Sequence, residues 1–352
     1  MITKRAYVPA CGTFSVEGAN EPFNPTDGHV TQSSTQSDAI NNEKSNTPMD
    51  MTSARSDSNL GAFLDVAALA NISTVWQGKE DGAWHARGDP TEIAINVFAA
   101  RFGWSRSKLI ETEQPTWKTL VEFPFDSDVK KMSVILENTD TEALQVFTKG
   151  AVERVLQSCT RFYATADSND ETEMTDDHRD RILDTMEEFA SQGLRVLALA
   201  SRVAPSHLNY EKELDRNQVE CDLTFRGLIG LYDPPRAESA ASVKECRQAG
   251  IEVHMLTGDH PGTARAIAID VGILPSKEKL ATLAKDVADA LVMTAGEFDK
   301  LSDDQIDQLP TLPLVVARCA PNTKVRMIEA LHRRKRFAAM VCRDLAYMSV
   351  PC

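Results

Sequence analysis

The sequence predicts two units: an α+β unit with an antiparallel sheet and packed helices, then an α/β unit with a parallel sheet. Three observations carry this. At 352 residues the chain is long enough for two domains with separate cores. From Thr119 to Ala204, strand-length apolar runs succeed one another in hairpin fashion, with helical stretches beside them. Beyond "LTFRGLIGLYDPPRAE", unbroken apolar strands alternate with helices, the pattern of a parallel sheet covered on both faces.

Residues 1 to about 30 alternate weakly and hold Pro9, Gly12, Pro22 and Pro25, as short strands and turns would. Residues 31–59 are polar and nearly free of aliphatics, so ordering them gains too little burial, which predicts a flexible insert. "LGAFLDVAALAN" reads as a helix. "DPTEIAINVFAARFGW" reads as a second, with Asp89 as N-cap, Pro90 in the first turn and Ile93, Val97 and Ala100 on one face. Strands follow at "TLVEFPF", "KMSVILEN" and "ALQVFTKG", then a helix "AVERVLQSC", an acidic loop, a helix "HRDRILDTMEEFASQG" and a strand "LRVLALASRVA". In the second unit "AESAASVKECRQAG" is a helix stopped by Gly250. "IEVHML", "LPLVVARC" and "RFAAMVC" read as strands, with helices "PGTARAIAIDVG" and "PNTKVRMIEALHRR" between them.

With 38 basic against 52 acidic side chains the formal net charge is −14, which argues against a nucleic-acid partner. Seven cysteines lie scattered without a C-x-x-C pair, as reduced thiols in a cytosolic setting do, and no zinc site is expected. "NIS" at Asn71–Ser73 is a chance match to a glycosylation acceptor. No apolar run approaches the ~20 residues that cross a bilayer, and the start does not read as a signal peptide, so a soluble chain is expected.

Two turns in the second unit carry chemistry. Thr257, Gly258 and Asp259 follow a strand and precede a helix, where a hydroxyl, a close backbone and outward amides suit an anion. Such a turn also occurs without a ligand. Arg318 ends another strand, and Lys324 sits in the first turn of the next helix, where it opposes the dipole unless an anion is bound. Together the two strand ends favour a phosphate pocket. "HRRKR", at 332–336, reads as a charged helix end. In the first unit Phe125, Lys130 and Lys149 suit a nucleotide, by ring stacking on a base and ammonium groups on phosphate. Taken singly, such residues are more commonly a core phenylalanine and two surface lysines.

The ordered series "GDPTE", "FPFDSDVKKMS", "FTKGA", "GLRVLALA", "YDPPR", "MLTGDHPGTARAIA" and "VVARCAPNTKVRMIEAL" resembles the P-type cation-transporting ATPases, and in detail the fungal sodium and potassium efflux branch. The resemblance implies linker strands in 1–30, an insert in 31–59 and a nucleotide-binding domain in 60–225. Residues 226–340 would be a partial phosphorylation domain, an incomplete Rossmann-like fold of the haloacid-dehalogenase type, and 341–352 a divergent tail. It implies that Glu92 contacts the adenine end of ATP, Phe125 stacks on the base, Lys130 and Lys149 line the pocket, and Arg195 reaches the triphosphate. Asp233 to Arg236 would form the hinge. Thr257, Gly258, Asp259 and Lys324 would cradle the transferred phosphoryl group, with Arg318 in support. ATP and Mg2+ are the implied cofactors. The implied partners are transmembrane and actuator domains at the plasma membrane, with these domains on the cytosolic side.

Two family motifs are missing. No "DKTGT", which carries the phosphorylated aspartate, stands in this sequence, and its place lies just before residues resembling "MITKRAYVP". The magnesium loop "TGDGVND" is replaced by "VCRDLAYMSVPC", and no metal role passes to Asp344. The expectation is a pump fragment that binds ATP but has no catalytic aspartate and no metal ligand of its own. The alternatives are an inactive nucleotide-binding module and a haloacid-dehalogenase-like phosphatase using Asp233, which ranks lower because Asp233 precedes two prolines. The transported ion is not readable from these residues.

Overall fold

A computed structural model describes residues 1–33, 47–48, 57–163, 171–205, 214–282 and 285–341. The chain divides into two units, Met1–Pro234 and Pro235–Cys352.

The first unit is built on a long sheet. Its strands are β1 (Ile2–Val8), β2 (Gly12–Glu17), β3 (His29–Ser33), β4 (Thr47–Pro48), β7 (Trp117–Asp126), β8 (Lys131–Asn138), β9 (Leu144–Ala151), β12 (Leu194–Val203) and β13 (Leu223–Tyr232), with β10 (Cys159–Phe162) and β11 (Thr172–Glu173) at one side. The order is β4-β3-β2-β1-β13-β12-β9-β8-β7, and β10 pairs in parallel with β13. Every other pairing among the described strands of this sheet is antiparallel. A separate hairpin joins β5 (Thr74–Gln77) to β6 (Trp84–Arg87).

Helices cover both faces of the sheet. On one side α1 (Ser58–Leu69) and α2 (Pro90–Arg101) bring Leu60, Phe63, Leu64, Ile95 and Phe98 against Phe14, Met132, Phe147 and Leu199. On the other, α4 (Val152–Gln157) and α5 (Asp176–Ser191) set Val155, Ile182 and Met186 against Ala198, Ala200, Phe225 and Leu228. Ala198, Leu199 and Ala200 thus divide between two cores, as the two-residue period of a strand requires. Two shorter helices, α3 (Arg106–Ile110) and α6 (Arg216–Val219), complete the unit.

In the second unit β14 (Met255–Leu256), β15 (Val292–Thr294) and β16 (Val315–Ala317) form a parallel sheet in the order β14-β16-β15. Val315 and Ala317 face a core with α7 (Ser239–Gln248) and α8 (Pro261–Asp270), where Val243, Ala264 and Ala268 are buried. Helices α9 (Lys277–Thr282) and α10 (Lys285–Ala290) precede β15. Val316 faces the opposite core, with Phe298 of α11 (Ala295–Phe298), Ile306 of α12 (Asp303–Gln308) and Met327 of α13 (Pro321–Arg333). Among the described residues no helix is long and apolar enough to cross a membrane.

Several expectations need correction. The run "IEVHML" is a strand only at Met255–Leu256; its start, Ile251, is 56% exposed. "RFAAMVC" forms no strand over its described part, because α13 ends in a left-handed Lys335 (φ 57°) that turns Phe337 fully into solvent. Helix α2 has no single apolar face, since Glu92 to Ala99 are all buried. Within the expected insert, Thr31–Ser33 belong to β3, Thr47–Pro48 pair with it and Ser58 opens α1. The remainder of the insert, the first part of the acidic loop and Asp344 lie outside the described residues. Strand β13 runs to Tyr232 inside the first unit's sheet, beyond the expected domain end at residue 225. Asn71 is wholly buried and bonded to the Ala67 and Glu92 carbonyls, which rules it out as a glycosylation acceptor. "HRRKR" is the charged helix end that was expected, with His332 and Arg333 in the last turn of α13, and Arg334 just past it donates to the Ile306 and Leu309 carbonyls at 2.7 Å each.

Candidate functional site

Strand register gathers the first set of predicted residues at one end of the large sheet. Lys149 lies near the end of β9, opposite Met132 of β8 and Leu199 of β12. Two residues beyond the Leu197–Ala151 pair, at the start of β12, stands Arg195, exposed and on the same face as Leu197, Leu199 and Lys149. At that end too, β7 turns into β8. The Asp126 carboxylate accepts the N–H groups of Asp128 (2.7 Å) and Val129 (3.0 Å), which hold its carboxyl below the usual carboxylate range. Its carbonyl accepts Lys130 N–H at 2.7 Å, and Lys130 itself takes a left-handed φ of 58°. The loop leaves Lys130 exposed and the Phe125 ring 64% exposed, so Phe125 is not a core residue. Gly150 makes room for this loop, since a Cβ there would lie 2.4 Å from the Lys130 carbonyl oxygen.

Lys149 is not a surface lysine. Its side chain is 7% exposed, and its Nζ lies 2.6 Å from Glu92 Oε1. Glu92 stands in the first turn of α2, whose start is fixed as expected: the Asp89 carboxylate caps Thr91 N–H at 2.8 Å and Pro90 follows. The other Glu92 oxygen accepts Ile72 N–H at 3.2 Å. Both carboxylate oxygens are therefore engaged by protein. Burial pushes the Lys149 pKa below that of an ordinary lysine, and the Glu92 charge and hydrogen bond oppose the shift.

The second set meets in the parallel sheet. The Thr257 hydroxyl donates to Asp259 Oδ2 (2.9 Å) and accepts Asp259 N–H (3.1 Å). Cys319 N–H donates to the Thr257 carbonyl (2.9 Å), and Arg318 N–H to that of Asp259 (3.0 Å), so the ends of β14 and β16 are stitched together. Arg318 adopts φ 58°, a conformation in which a non-glycine residue is strained. Half-buried Lys324, in α13, acts on the Cys319 thiol: burial raises that thiol's pKa and the lysine charge opposes it. A Cβ on Gly258 would come only to 3.9 Å from the Cys319 carbonyl, so the protein itself does not demand glycine there.

Asp233 and Arg236 lie in an irregular segment at the boundary of the two units, and Asp233 ends no strand of the parallel sheet. A cleft of about 590 Å³ elsewhere in the first unit, with Asp65, Tyr163, Ser201 and Arg226 in its wall, contains none of the predicted residues. Sequence reasoning missed Lys131, Arg216 and Glu220, which form a buried ionic group behind the β7–β8 loop. The four-residue spacing of Arg216 and Glu220 was the available signal. Among the described residues no cluster of three or more His, Cys, Asp or Glu side chains could hold a metal ion.

The family pattern described as "P-type ATPase, cytoplasmic domain N" matches residues 59–238. The chain belongs to the P-type ATPase family. Over 97% of its length it is 44% identical to the sodium/potassium exporting P-type ATPase cta3 of Schizosaccharomyces pombe, covering 31% of that protein. It is 39% identical over 97% of its length to sodium/potassium exporting P-type ATPase 2 of Saccharomyces cerevisiae, covering 34%. Over 80% of its length it is 34% identical to a calcium-transporting ATPase of Bacillus subtilis, covering 29%. The chain thus spans about a third of the length of these P-type ATPases. The domain N match runs from α1 to the end of β13 and just beyond, and it contains Glu92, Phe125, Lys130, Lys149 and Arg195.

Proposed function

We propose that the first unit binds ATP as the nucleotide-binding domain of a cation-exporting P-type ATPase, with sodium or potassium as the exported ion. The observation that carries this reading is the buried Glu92–Lys149 pair at the sheet end that also presents the bare Phe125 ring and the Lys130 ammonium. An exposed ring offers a stacking face to a purine, and the cations Lys130 and Arg195 suit a polyphosphate. Lys149 reaches the pocket as a cation kept charged by Glu92. Glu92 holds Lys149 in place, and its carboxylate, which keeps acceptor capacity beyond these two bonds, meets the adenine end.

In the same reading the second unit is part of a phosphorylation domain of the haloacid-dehalogenase type. Thr257 and the backbone around Gly258 hold a phosphoryl group there, Lys324 and Arg318 offset its charge, and Asp259 fixes the Thr257 hydroxyl. The segment Asp233–Arg236 serves as the hinge. Transfer of the phosphoryl group to an aspartate, which splits one hydrolysis into two steps, belongs to the whole pump. This sequence has no "DKTGT" motif, so in this reading the polypeptide alone binds nucleotide without forming a phosphoenzyme.

Calorimetric titration of the chain with ATP tests the first claim, and uptake that is weakened in Phe125→Ala is the expected result. No heat of binding at millimolar ATP refutes the nucleotide reading. Incubation with radiolabelled ATP and magnesium tests the second claim. Acid-stable, hydroxylamine-sensitive label on the chain would refute it.

A further inference from the structure

Behind the β7–β8 loop lies a polar network with no role in the reading so far. Helix α6 starts at Arg216, and Glu220 stands just past its end, four residues on. Arg216 Nε lies 2.8 Å from Glu220 Oε1. The neighbouring Nη2 donates to two carbonyls, those of Pro124 (3.2 Å) and Lys131 (2.7 Å). Pro124 is the residue before Phe125, and Lys131 is the residue after Lys130. One planar group therefore closes the base of the loop that carries both side chains. The guanidinium carbon also sits 5.8 Å from the centroid of the Phe123 ring.

Glu220 holds that guanidinium in place. Its side chain is 2% exposed; Oε2 lies 3.0 Å from Lys131 Nζ, and Oε1 accepts the Ser133 hydroxyl at 2.6 Å. Ser133 is in turn 2.8 Å from the Thr148 hydroxyl, and Lys131 Nζ donates to Ser158 Oγ at 3.1 Å. For stability alone, apolar side chains of similar volume serve as well as a buried ionic group. What such a group supplies in addition is direction: a rigid, forked donor that fits only one placement of the two carbonyls. On the far side of the loop, Ala151 N–H donates to the Lys130 carbonyl at 3.0 Å. The loop is thus held between β9 and Arg216.

We propose that Arg216, oriented by Glu220, is a positioning residue for the nucleotide: by clamping the Pro124 and Lys131 carbonyls it sets where the Phe125 ring and the Lys130 ammonium stand relative to Lys149. This rests on the reading of that sheet end as an ATP site. Pinning the loop before binding removes an ordering cost that ATP would otherwise have to offset.

The test uses the full chain, ATP calorimetry and amide hydrogen exchange across residues 123–131, on the parent and on Arg216→Gln, Arg216→Lys, Phe125→Ala and Arg216→Gln/Phe125→Ala. Arg216→Gln is expected to speed exchange in the loop and to weaken ATP binding about tenfold, the size of one lost charge-assisted hydrogen bond. Arg216→Lys, which keeps the charge near Glu220 but not the fork, should recover part of the affinity. In the Phe125→Ala background the Arg216→Gln loss should shrink, because the ring through which Arg216 acts is gone. An undiminished loss in that background overturns the proposal and leaves Arg216 a general stabiliser. So does faster loop exchange with unchanged affinity. If the parent chain takes up no ATP, the nucleotide reading fails; unaltered loop exchange in Arg216→Gln separately refutes the clamp.

Discussion

Replacing Glu92 by glutamine tests the buried pair most directly. The carboxylate is 2.6 Å from a lysine whose side chain is 7% exposed, and the Glu92 side chain is 10% exposed, so water cannot compensate the charge left behind. Removing one member of such a pair costs about 3–5 kcal/mol. All four tryptophans (Trp76, Trp84, Trp104 and Trp117) lie in the first unit, so their emission during urea unfolding reports that unit alone. At a slope of about 2–3 kcal/mol per molar urea, the Glu92→Gln midpoint should fall by more than about 1 M. The pH dependence has a definite sign. Burial places the folded-state pKa of Lys149 below the ordinary 10.5, so between the two values the unfolded chain binds more protons and stability rises with pH. Without Glu92, which raises the Lys149 pKa, that window extends lower, and the deficit of Glu92→Gln should narrow as pH climbs from 7 towards 10. The double variant Glu92→Leu/Lys149→Met should recover most of the loss. A single-variant cost under about 1 kcal/mol, the size found for exposed pairs, or a deficit that stays constant with pH, would refute the argument.

Phe125→Ala should leave the tryptophan-monitored midpoint nearly unchanged while weakening ATP binding by about tenfold or more, since the ring is 64% exposed and a stacked base is its only large gain. Burial pushes Asp65 up to about 6, against the Trp104 hydrogen bond and the Arg226 charge. A carboxylate raised in the folded state favours folding at low pH and loses that contribution as pH rises through the folded value. The first unit's stability should therefore carry a falling component between about pH 4 and 6 that Asp65→Asn removes in urea titrations. Cys159 is fully buried and its thiol is pushed up to about 12, so mass spectrometry should find it unmodified by iodoacetamide at pH 8 until the chain is unfolded.

What the sequence made legible was local. Asp89 followed by Pro90 marked a helix start because cap chemistry acts within one turn, and the structure has that cap. Gly250 marked the end of α7 for the same reason, with φ 75°. The roles that depend on distant partners were not readable. Lys149 is buried by a glutamate 57 residues earlier in the chain, and nothing in "VFTKGA" announces it. Arg216 reaches carbonyls 92 and 85 residues away, so the Arg–Glu spacing showed only a helix pair. The register that aligns Arg195 with Lys149 comes from three strands at once. In the second unit apolar runs overstated the strands. Hydrophobicity alone does not require pairing: His254 Nδ1 donates to the Pro313 carbonyl at 2.8 Å, outside any ladder.

In the first unit's sheet, Ile2 is paired with Tyr232, and Tyr7 with Leu228. Ile2 and Tyr232, near the two ends of this unit, therefore stand on neighbouring antiparallel strands. A force applied between those two ends would load their shared rungs one at a time, as a zipper opens, and would bypass the β7–β8 hairpin altogether.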